Sequence, residues 1–259
     1  MTFARFPRLL AGLAGLALAA TVAVVPAAAQ FNDRQKTEIE AIIKDYLMKN
    51  PEVLRDALAE MDRKEKAQEE AARLAAVKER APLIYNSPRQ AVLGNPNGKI
   101  TLVEFFDYNC GYCKKALEDL ARLVKEEPEL RVVIKDFPVL GPGSVEAAEV
   151  ATALRAQFKG DKYWQYHQKL LSLKGQIGKT QAVATAKELG ADVAKLDKEI
   201  ADPATRASIQ EVMTLADALQ LSGTPSYVLA DDVVVGAVGY EALKEKIGNV
   251  KKCGKTNCG

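Results

Sequence analysis

The chain has 259 residues, 36 basic and 34 acidic side chains and 48% hydrophobic residues, enough for one domain of ordinary size plus an accessory segment. Charges this balanced give no one-sided basic surface of the kind a phosphate backbone requires, so nucleic acid is not an expected partner. One histidine and four methionines leave no tract rich in either for a dedicated metal carrier.

Arg5 and Arg8 precede an uncharged Ala/Leu/Val run from Leu9 to Val25, followed by Pro26-Ala27-Ala28-Ala29. Basic, apolar and small-residue regions in that order read as a secretory signal peptide over residues 1–29, cleaved after Ala29. The apolar run is also roughly the 17 residues of a minimal membrane span, the competing reading. Two of the 36 basic residues lie before Ala29, so the mature chain carries 34 side chains of each sign. Export to the periplasm changes the meaning of the four cysteines, because each pair can exist as a disulfide in an oxidising compartment.

Residues 30–81 read as an N-terminal helical module and stalk. Ile39, Ile42, Ile43, Tyr46 and Leu47 recur at helical spacing, Asn50-Pro51 interrupts, and Val53, Leu54, Ala57, Leu58 and Met61 resume on a second helix with proline in its first turn. Two such helices are too small for a core of their own, so their stripe must pack on the same chain or on identical helices of other chains, as in a homo-oligomer. From Asp62 to Glu70 the sequence is nearly all charge, and the segment up to Pro82 reads as a solvated connector.

Residues 82–250 carry the signals of an α/β domain. After the turn Asn95-Pro96-Asn97-Gly98, the apolar run Ile100–Phe106 predicts a buried strand. A Cys-x-x-Cys follows, then helical spacing from Lys114 to Glu126 and a second strand over Arg131–Phe137. Between about 139 and 222 only helical patterns occur: Val145–Phe158, Tyr163–Leu173, Ala182–Leu189, Val193–Ile200 and Ala204–Leu221. Strands return at Tyr227–Leu229 and Val233–Val235, a helix runs from Tyr240 to about Ile247, and residues 251–259 form a polar tail. The class is therefore an α/β sheet with a helical insertion.

Cys110 sits where a strand passes into a helix, and the free N–H groups and positive end of that helix favour a thiolate. Cys113 follows one helical turn later, placed to attack a mixed disulfide on Cys110 and release the substrate. A zinc half-site is the competing reading, and its second ligand pair would have to be Cys253 and Cys258. The expectation is a dithiol with no metal and no cofactor. Glu104 is an acid within the first strand. Burial there raises its pKa and lets it exchange protons with the buried thiol, whereas a strand-edge position would make it an ordinary surface acid. Lys135 holds a similar place in the next strand, as a partner for Glu104 or as a solvated strand-end lysine. Cys253 and Cys258 close a short loop in the tail, as a structural disulfide or as a relay to Cys110.

Val103-Glu104-Phe105-Phe106-Asp107-Tyr108-Asn109-Cys110-Gly111-Tyr112-Cys113 resembles the active-site strand of the DsbA-type family, and Gly223-Thr224-Pro225-Ser226-Tyr227-Val228 resembles its cis-proline loop. Tyr163-Trp164-Gln165-Tyr166-His167 is similar to a motif of its helical insert, so the likeness covers about residues 90 to 250. It implies a thioredoxin-like fold in which Pro225 is cis, faces Cys110 and exposes the Thr224 backbone to an extended substrate, with Gly111 and Tyr112 on the same substrate-facing surface. His167 is then a packed residue of the insert. The N-terminal stalk departs from the simple DsbA pattern and resembles that of the suppressor-of-copper-sensitivity C proteins, some of which trimerise through such a segment. Gly111-Tyr112 and Thr224 resemble disulfide isomerases more than strong oxidants. The implied function is a disulfide isomerase or reductase acting on unfolded or misoxidised exported proteins, kept reduced by a membrane thiol-disulfide partner. The alternatives are a dithiol oxidase and a copper-binding protein holding Cu(I) on the same thiolates.

Overall fold

The computed structural model describes residues 31–259, so the expected signal peptide and its cleavage site lie outside the described residues. The chain divides into two compact units, the first ending at Ala59 and the second comprising Glu60–Gly259. No described helix is long and apolar enough to cross a membrane.

In the first unit, α1 (Asp33–Lys49) begins at Asn32, whose side chain accepts the Gln35 N–H at 2.9 Å while the Gln35 side chain accepts the Asn32 N–H at 3.0 Å. This reciprocal cap satisfies two helix-end donors. The helix stops at Asn50, and Pro51 opens α2 (Pro51–Asn86), where its missing N–H leaves no bond unmade. α1 buries no residue; Ile42, Ile43, Tyr46, Leu54 and Leu58 are all exposed. Ile43, Leu47, Met48, Pro51 and Leu54 line an open groove of about 580 Å³.

The described residues of the second unit form a five-stranded sheet in the order β1-β3-β2-β4-β5. Its strands are β1 (Ala91–Gly94), β2 (Ile100–Phe106), β3 (Leu130–Asp136), β4 (Ser226–Leu229) and β5 (Asp232–Val235). β2 and β3 are parallel and the other pairs antiparallel. α3 (Gly111–Glu126) connects β2 to β3. The insertion between β3 and β4 is helical, with α4 (Pro142–Leu154), α5 (Gly160–Leu171), α6 (Lys179–Glu188), α7 (Val193–Ala201) and α8 (Pro203–Ala218), and α9 (Tyr240–Cys253) closes the fold.

Alternation along the strands separates two cores. On one face Leu102, Phe106, Val132, Ile134, Tyr227 and Leu229 pack with Cys113, Leu117 and Leu120 of α3 and Leu243 and Ile247 of α9. On the other, Val103, Phe105, Val133 and Val228 pack with Val77 and Ile84 of α2 and Val212 and Leu215 of α8. Burial on both faces is why β2 and β3 read as continuous apolar runs rather than alternating ones.

Three features differ from the sequence reading. β1 was not expected: four residues carry no periodic signal, and the strand exists through its pairing with β3, Leu93 opposite Val132. α2 is a single helix of 36 residues through the charged stretch and through Pro82, so the boundary expected between residues 81 and 82 falls inside it. Tertiary contacts override the proline. Ile84 is fully buried, Lys135 Nζ donates to the Leu83 carbonyl at 2.6 Å, and Arg131 and Gln90 donate to the Tyr85 carbonyl at 2.9 and 2.6 Å. Lys135 therefore does not pair with Glu104. It stands opposite Phe105 in the parallel register, which sends its side chain to the α2 face, and its second acceptor is Gln90 Oε1 at 2.8 Å. Burial pulls its pKa down to about 8.

Lys135→Met keeps the apolar stem but strips the donor from two half-buried acceptors, so we expect a loss of roughly 1–3 kcal/mol. Urea denaturation should show this as a lower midpoint at unchanged slope. An unchanged midpoint would mean that apolar packing alone holds the end of α2.

Candidate active site

β2 delivers the chain to Phe106, and four residues later Cys110 caps α3. The turn between them is held by Asp107, which is 2% exposed. One carboxylate oxygen accepts the Asn109 N–H at 2.7 Å and the Ser144 hydroxyl at 2.8 Å; the other accepts the N–H groups of Val139 and Leu140 at 2.9 and 3.0 Å. Asn109 in turn donates to Ile177 O at 2.9 Å and accepts Ile177 N–H at 2.7 Å. The start of the insertion and the segment before α6 are thus clamped to the turn that presents Cys110.

Cys110 and Cys113 are free thiols, 4% and 0% exposed. Cys110 Sγ accepts the Cys113 N–H at 3.2 Å, the bond expected of a helix N-cap, and lies 3.1 Å from the Thr224 carbonyl, to which it donates when protonated. The Thr224–Pro225 peptide is cis, and the Pro225 carbonyl accepts Gly236 N–H at 2.8 Å. The structure thus brings Cys110, Cys113, Thr224 and Pro225 together. Gly111 has open space where a side chain would be, and Tyr112 is 64% exposed with Lys115 Nζ 5.6 Å from its ring centre.

The two thiols are electrostatically unequal. Hydrogen bonding from the Cys113 thiol, aided by the Thr224 side chain and the N–H groups of Cys113 and Tyr112, brings Cys110 down to about 6 against the opposing effect of burial. Burial, the hydrogen bond to Cys110 and the charge of Glu104 hold Cys113 far above the usual thiol range. Glu104, 3% exposed, shares the sheet face of Leu102 and Phe106 with Cys113, and burial pushes its carboxyl up to about 8. Such a cluster can attack a disulfide through Cys110, hold the mixed disulfide, and resolve it through Cys113 once that thiol has lost its proton.

His167 is fully buried, stacked on Trp164 and edge-on to Phe106, with Nδ1 3.4 Å from the Tyr108 hydroxyl. Burial takes its pKa down to about 3, so it is a neutral packing residue. Cys253 and Cys258 are joined by a disulfide at the end of α9, and the intervening Thr256 donates its N–H and hydroxyl to Asp231 at 2.9 and 3.2 Å. Asp231 follows Leu229, which pairs with Leu102 near the start of β2, whereas Cys110 follows the end of β2. About 13 Å of strand, from Leu102 to Phe106, therefore lies between the end of β2 near Asp231 and the end that leads to Cys110, so the two cysteine pairs sit toward opposite ends of β2.

Sequence reasoning passed over Asp107 and Asn109 because two polar residues before a helix look like ordinary turn chemistry. Their partners lie 32 to 68 positions further on, where only folding brings them near. Tyr227 read as a β-forming aromatic, and its place opposite Glu104 depends on the register of β2 and β4.

A DSBA-like thioredoxin domain family model matches residues 101–248, and a copper resistance protein ScsC N-terminal domain model matches residues 35–68. The chain belongs to the DSBA-like thioredoxin domain family, and its five-stranded sheet with a helical insertion is the thioredoxin-like fold of that family. A thioredoxin-like oxidoreductase from Silicibacter pomeroyi DSS-3 is 38% identical, with a TM-score of 0.63 over 66% of this chain and 98% of the other. A linker-deletion mutant of Proteus mirabilis ScsC is 25% identical, with a TM-score of 0.66 over 87% of this chain and 99% of the other. Disulfide bond formation protein D of Bacillus subtilis is 28% identical over 61% of this chain and 75% of its own length. The chain spans only 24% of the length of the first curated relatives it matches, two Na(+)/H(+) antiporters of Salinispora.

Ultraviolet thiolate absorbance of the reduced protein should rise in one step near pH 6. Cys110→Ser should abolish the step, and Cys113→Ala should move it upward by removing the strongest hydrogen bond to the thiolate. A step that survives Cys110→Ser would reverse the assignment of the attacking sulfur.

Because the folded state keeps a proton on Glu104 that the unfolded chain has released, stability contributed at this position is present at acid pH and lost as pH rises from about 4.5 to about 8. Glu104→Gln should remove that loss and leave the reduced protein more stable at pH 8 by roughly 1–4 kcal/mol, with little change at pH 4. Parallel profiles for the two proteins would place the Glu104 carboxyl in water.

Proposed function

We propose that the protein is an envelope disulfide isomerase or reductase acting on unfolded or misoxidised exported proteins. Cys110 is the attacking thiol, Cys113 the resolving one and Glu104 the proton acceptor; Pro225, Thr224, Gly111 and Tyr112 form the surface met by an extended substrate. The observation that carries this reading is the asymmetry of the dithiol: a capped thiol brought down to about 6 beside a buried one held far above its usual range. Strong oxidants of the DsbA kind take the attacking thiol to about 3.5 and thioredoxin holds it at about 7. A thiol at about 6 stabilises the reduced pair less than a strong oxidant does, which favours attack on existing disulfides over donation of a new one. The redox state in the envelope separates the two directions, since an isomerase is maintained mostly as dithiol by a membrane partner and an oxidase mostly as disulfide.

Residues 31–61 are, in this reading, an oligomerisation segment. Ile42, Ile43, Tyr46, Leu54, Leu58 and Met61 are each more than half exposed in the single chain, and burying apolar area of this kind stabilises association by about 25 cal/mol per Å². Several dithiols around one substrate raise the effective concentration of attacking thiol.

Light scattering and refolding of a disulfide-scrambled substrate test this together. The chain beginning at Gln30 should be an oligomer. Removal of residues 31–61 should leave a monomer that still reduces a small disulfide but unscrambles the substrate roughly tenfold more slowly or worse. A monomeric longer chain, or a shortened chain that unscrambles at full rate, would reject the oligomeric isomerase.

A further inference from the structure

The chemistry assigned to Glu104 leaves one of its neighbours unused. In the antiparallel pairing of β2 with β4, Glu104 stands directly opposite Tyr227, so the two side chains leave the same face of the sheet. Both are buried there, with Leu102, Phe106 and Leu229 on the strands and Cys113 on α3 above them. The titratable groups gathered at this point are Glu104 on β2, Tyr227 on β4, and Cys110 and Cys113 on α3, with Asp119 of α3 acting on Tyr227. β3 sets the uncharged Ile134 beside Glu104, α9 brings Tyr240, Leu243 and Ile247 to the same cluster, and α5 brings Tyr163, Tyr166 and the neutral His167, which meets Phe106.

A carboxylate among aliphatic side chains holds its proton unless a donor stabilises the charged form. Tyr227, directly across the strand pair, brings a hydroxyl that can donate to Glu104, and its influence opposes the upward push that burial exerts on the carboxyl. The phenol itself stays protonated, because burial and the charges of Glu104 and Cys113 raise its pKa. It can therefore donate to the carboxylate throughout the working pH range.

We propose that Tyr227 is a positioning residue for the resolving step, its hydroxyl stabilising the carboxylate form of Glu104 that takes the proton of Cys113. This rests on the dithiol reading above. After Cys110 has attacked a substrate disulfide, one substrate sulfur has left as a thiolate and the other is bonded to Cys110. Glu104 accepts the Cys113 proton, and the Cys113 thiolate forms a bond to the Cys110 sulfur. The bond from Cys110 to the substrate breaks, and its electron pair leaves on the substrate sulfur, which is protonated by solvent. The two electrons that reduce the substrate disulfide come from the Cys110–Cys113 pair.

The test is the pH profile of this step in the reduced full chain, starting from a mixed disulfide of Cys110 with glutathione and following glutathione release. The wild type should show an inflection near pH 8, the value set for Glu104. Tyr227→Phe keeps the ring and loses the donor, so the inflection should move up by about half to one pH unit, a three- to tenfold slower release at pH 7. In a Glu104→Gln background the inflection should vanish, and adding Tyr227→Phe should then change nothing further. Replacing Tyr227 with 3-fluorotyrosine, which retains shape and hydroxyl and is a stronger donor, should move the inflection down; it keeps the test decisive if the phenylalanine variant fails to fold. An unmoved inflection in either variant, or a uniform slowing at every pH, would overturn the role of Tyr227 while leaving the dithiol reading intact. A wild-type chain that releases no glutathione at any pH would overturn both.

Discussion

The buried carboxylate of Asp107 is the constraint on which the dithiol depends. A carboxylate withdrawn from water costs several kcal/mol unless its lone pairs are filled, and here four donors fill them, from Asn109, Val139, Leu140 and Ser144. Two of these donors are backbone groups leading into α4. The same oxygen atoms therefore fix both the turn before Cys110 and the entry to the insertion. With the Asn109 side chain bonded to both the N–H and the carbonyl of Ile177, the insertion is gripped at two places 38 residues apart. It acts as the wall against which Cys110 is set at the head of α3, more than as an appendage to the sheet.

The sheet then sorts its buried charges by face. Glu104 and Lys135 lie on adjacent strands, yet the register directs one to the dithiol and the other to the end of α2. Their treatment differs as much as their position. Lys135 has two fixed acceptors, one of them the Leu83 carbonyl in the last turn of α2, which has no partner within the helix. Asp136 is likewise paired with Arg155, which also donates to the Arg89 carbonyl at 2.6 Å. Glu104 lies among apolar residues with Tyr227 directly opposite, and burial holds its proton near the pH at which it can be exchanged. Lys135 and the Asp136–Arg155 pair serve the fold, and Glu104, set on the dithiol face, is the buried charge available to chemistry.

How much of this was legible in the sequence depended on the range over which each cause acts. β2 and β3, and the helices of the insertion, were readable because continuous or 3.6-periodic apolar runs are local signals, and the observed ends of β2 match the run Ile100–Phe106. The placement of Cys110 and Cys113 at a strand-to-helix junction was readable for the same reason. β1 escaped because a four-residue edge strand is defined by its partner, and the continuity of α2 escaped because Pro82 normally ends a helix. Only the burial of Ile84 and the donors from β3 make that helix continue. The pairing offered between Glu104 and Lys135 failed because register, which sets the face a side chain takes, depends on how strands meet. The loop of Cys253 and Cys258 was legible as a disulfide, yet its distance from Cys110 was not, since that follows from β4 running antiparallel to β2.

The two values near the site, about 6 for Cys110 and about 8 for Glu104, bear on the order of events. At pH 7 about nine in ten Cys110 thiols are ionised while about one in ten Glu104 carboxyls is, by the ordinary titration relation. On the chemistry proposed above, attachment to a substrate disulfide then meets a ready nucleophile, whereas release through Cys113 waits for the less abundant base. A mixed disulfide formed on Cys110 persists for the time that wait imposes. During that time another thiol of the same substrate can attack instead of Cys113, and the substrate leaves with a rearranged disulfide rather than a reduced one. If Glu104 titrated well below pH 6, resolution would follow attachment at once and net reduction would dominate. On the proposed chemistry this gap favours shuffling, and it arises from burying the acid on the dithiol face of β2 while the nucleophile sits at a helix cap.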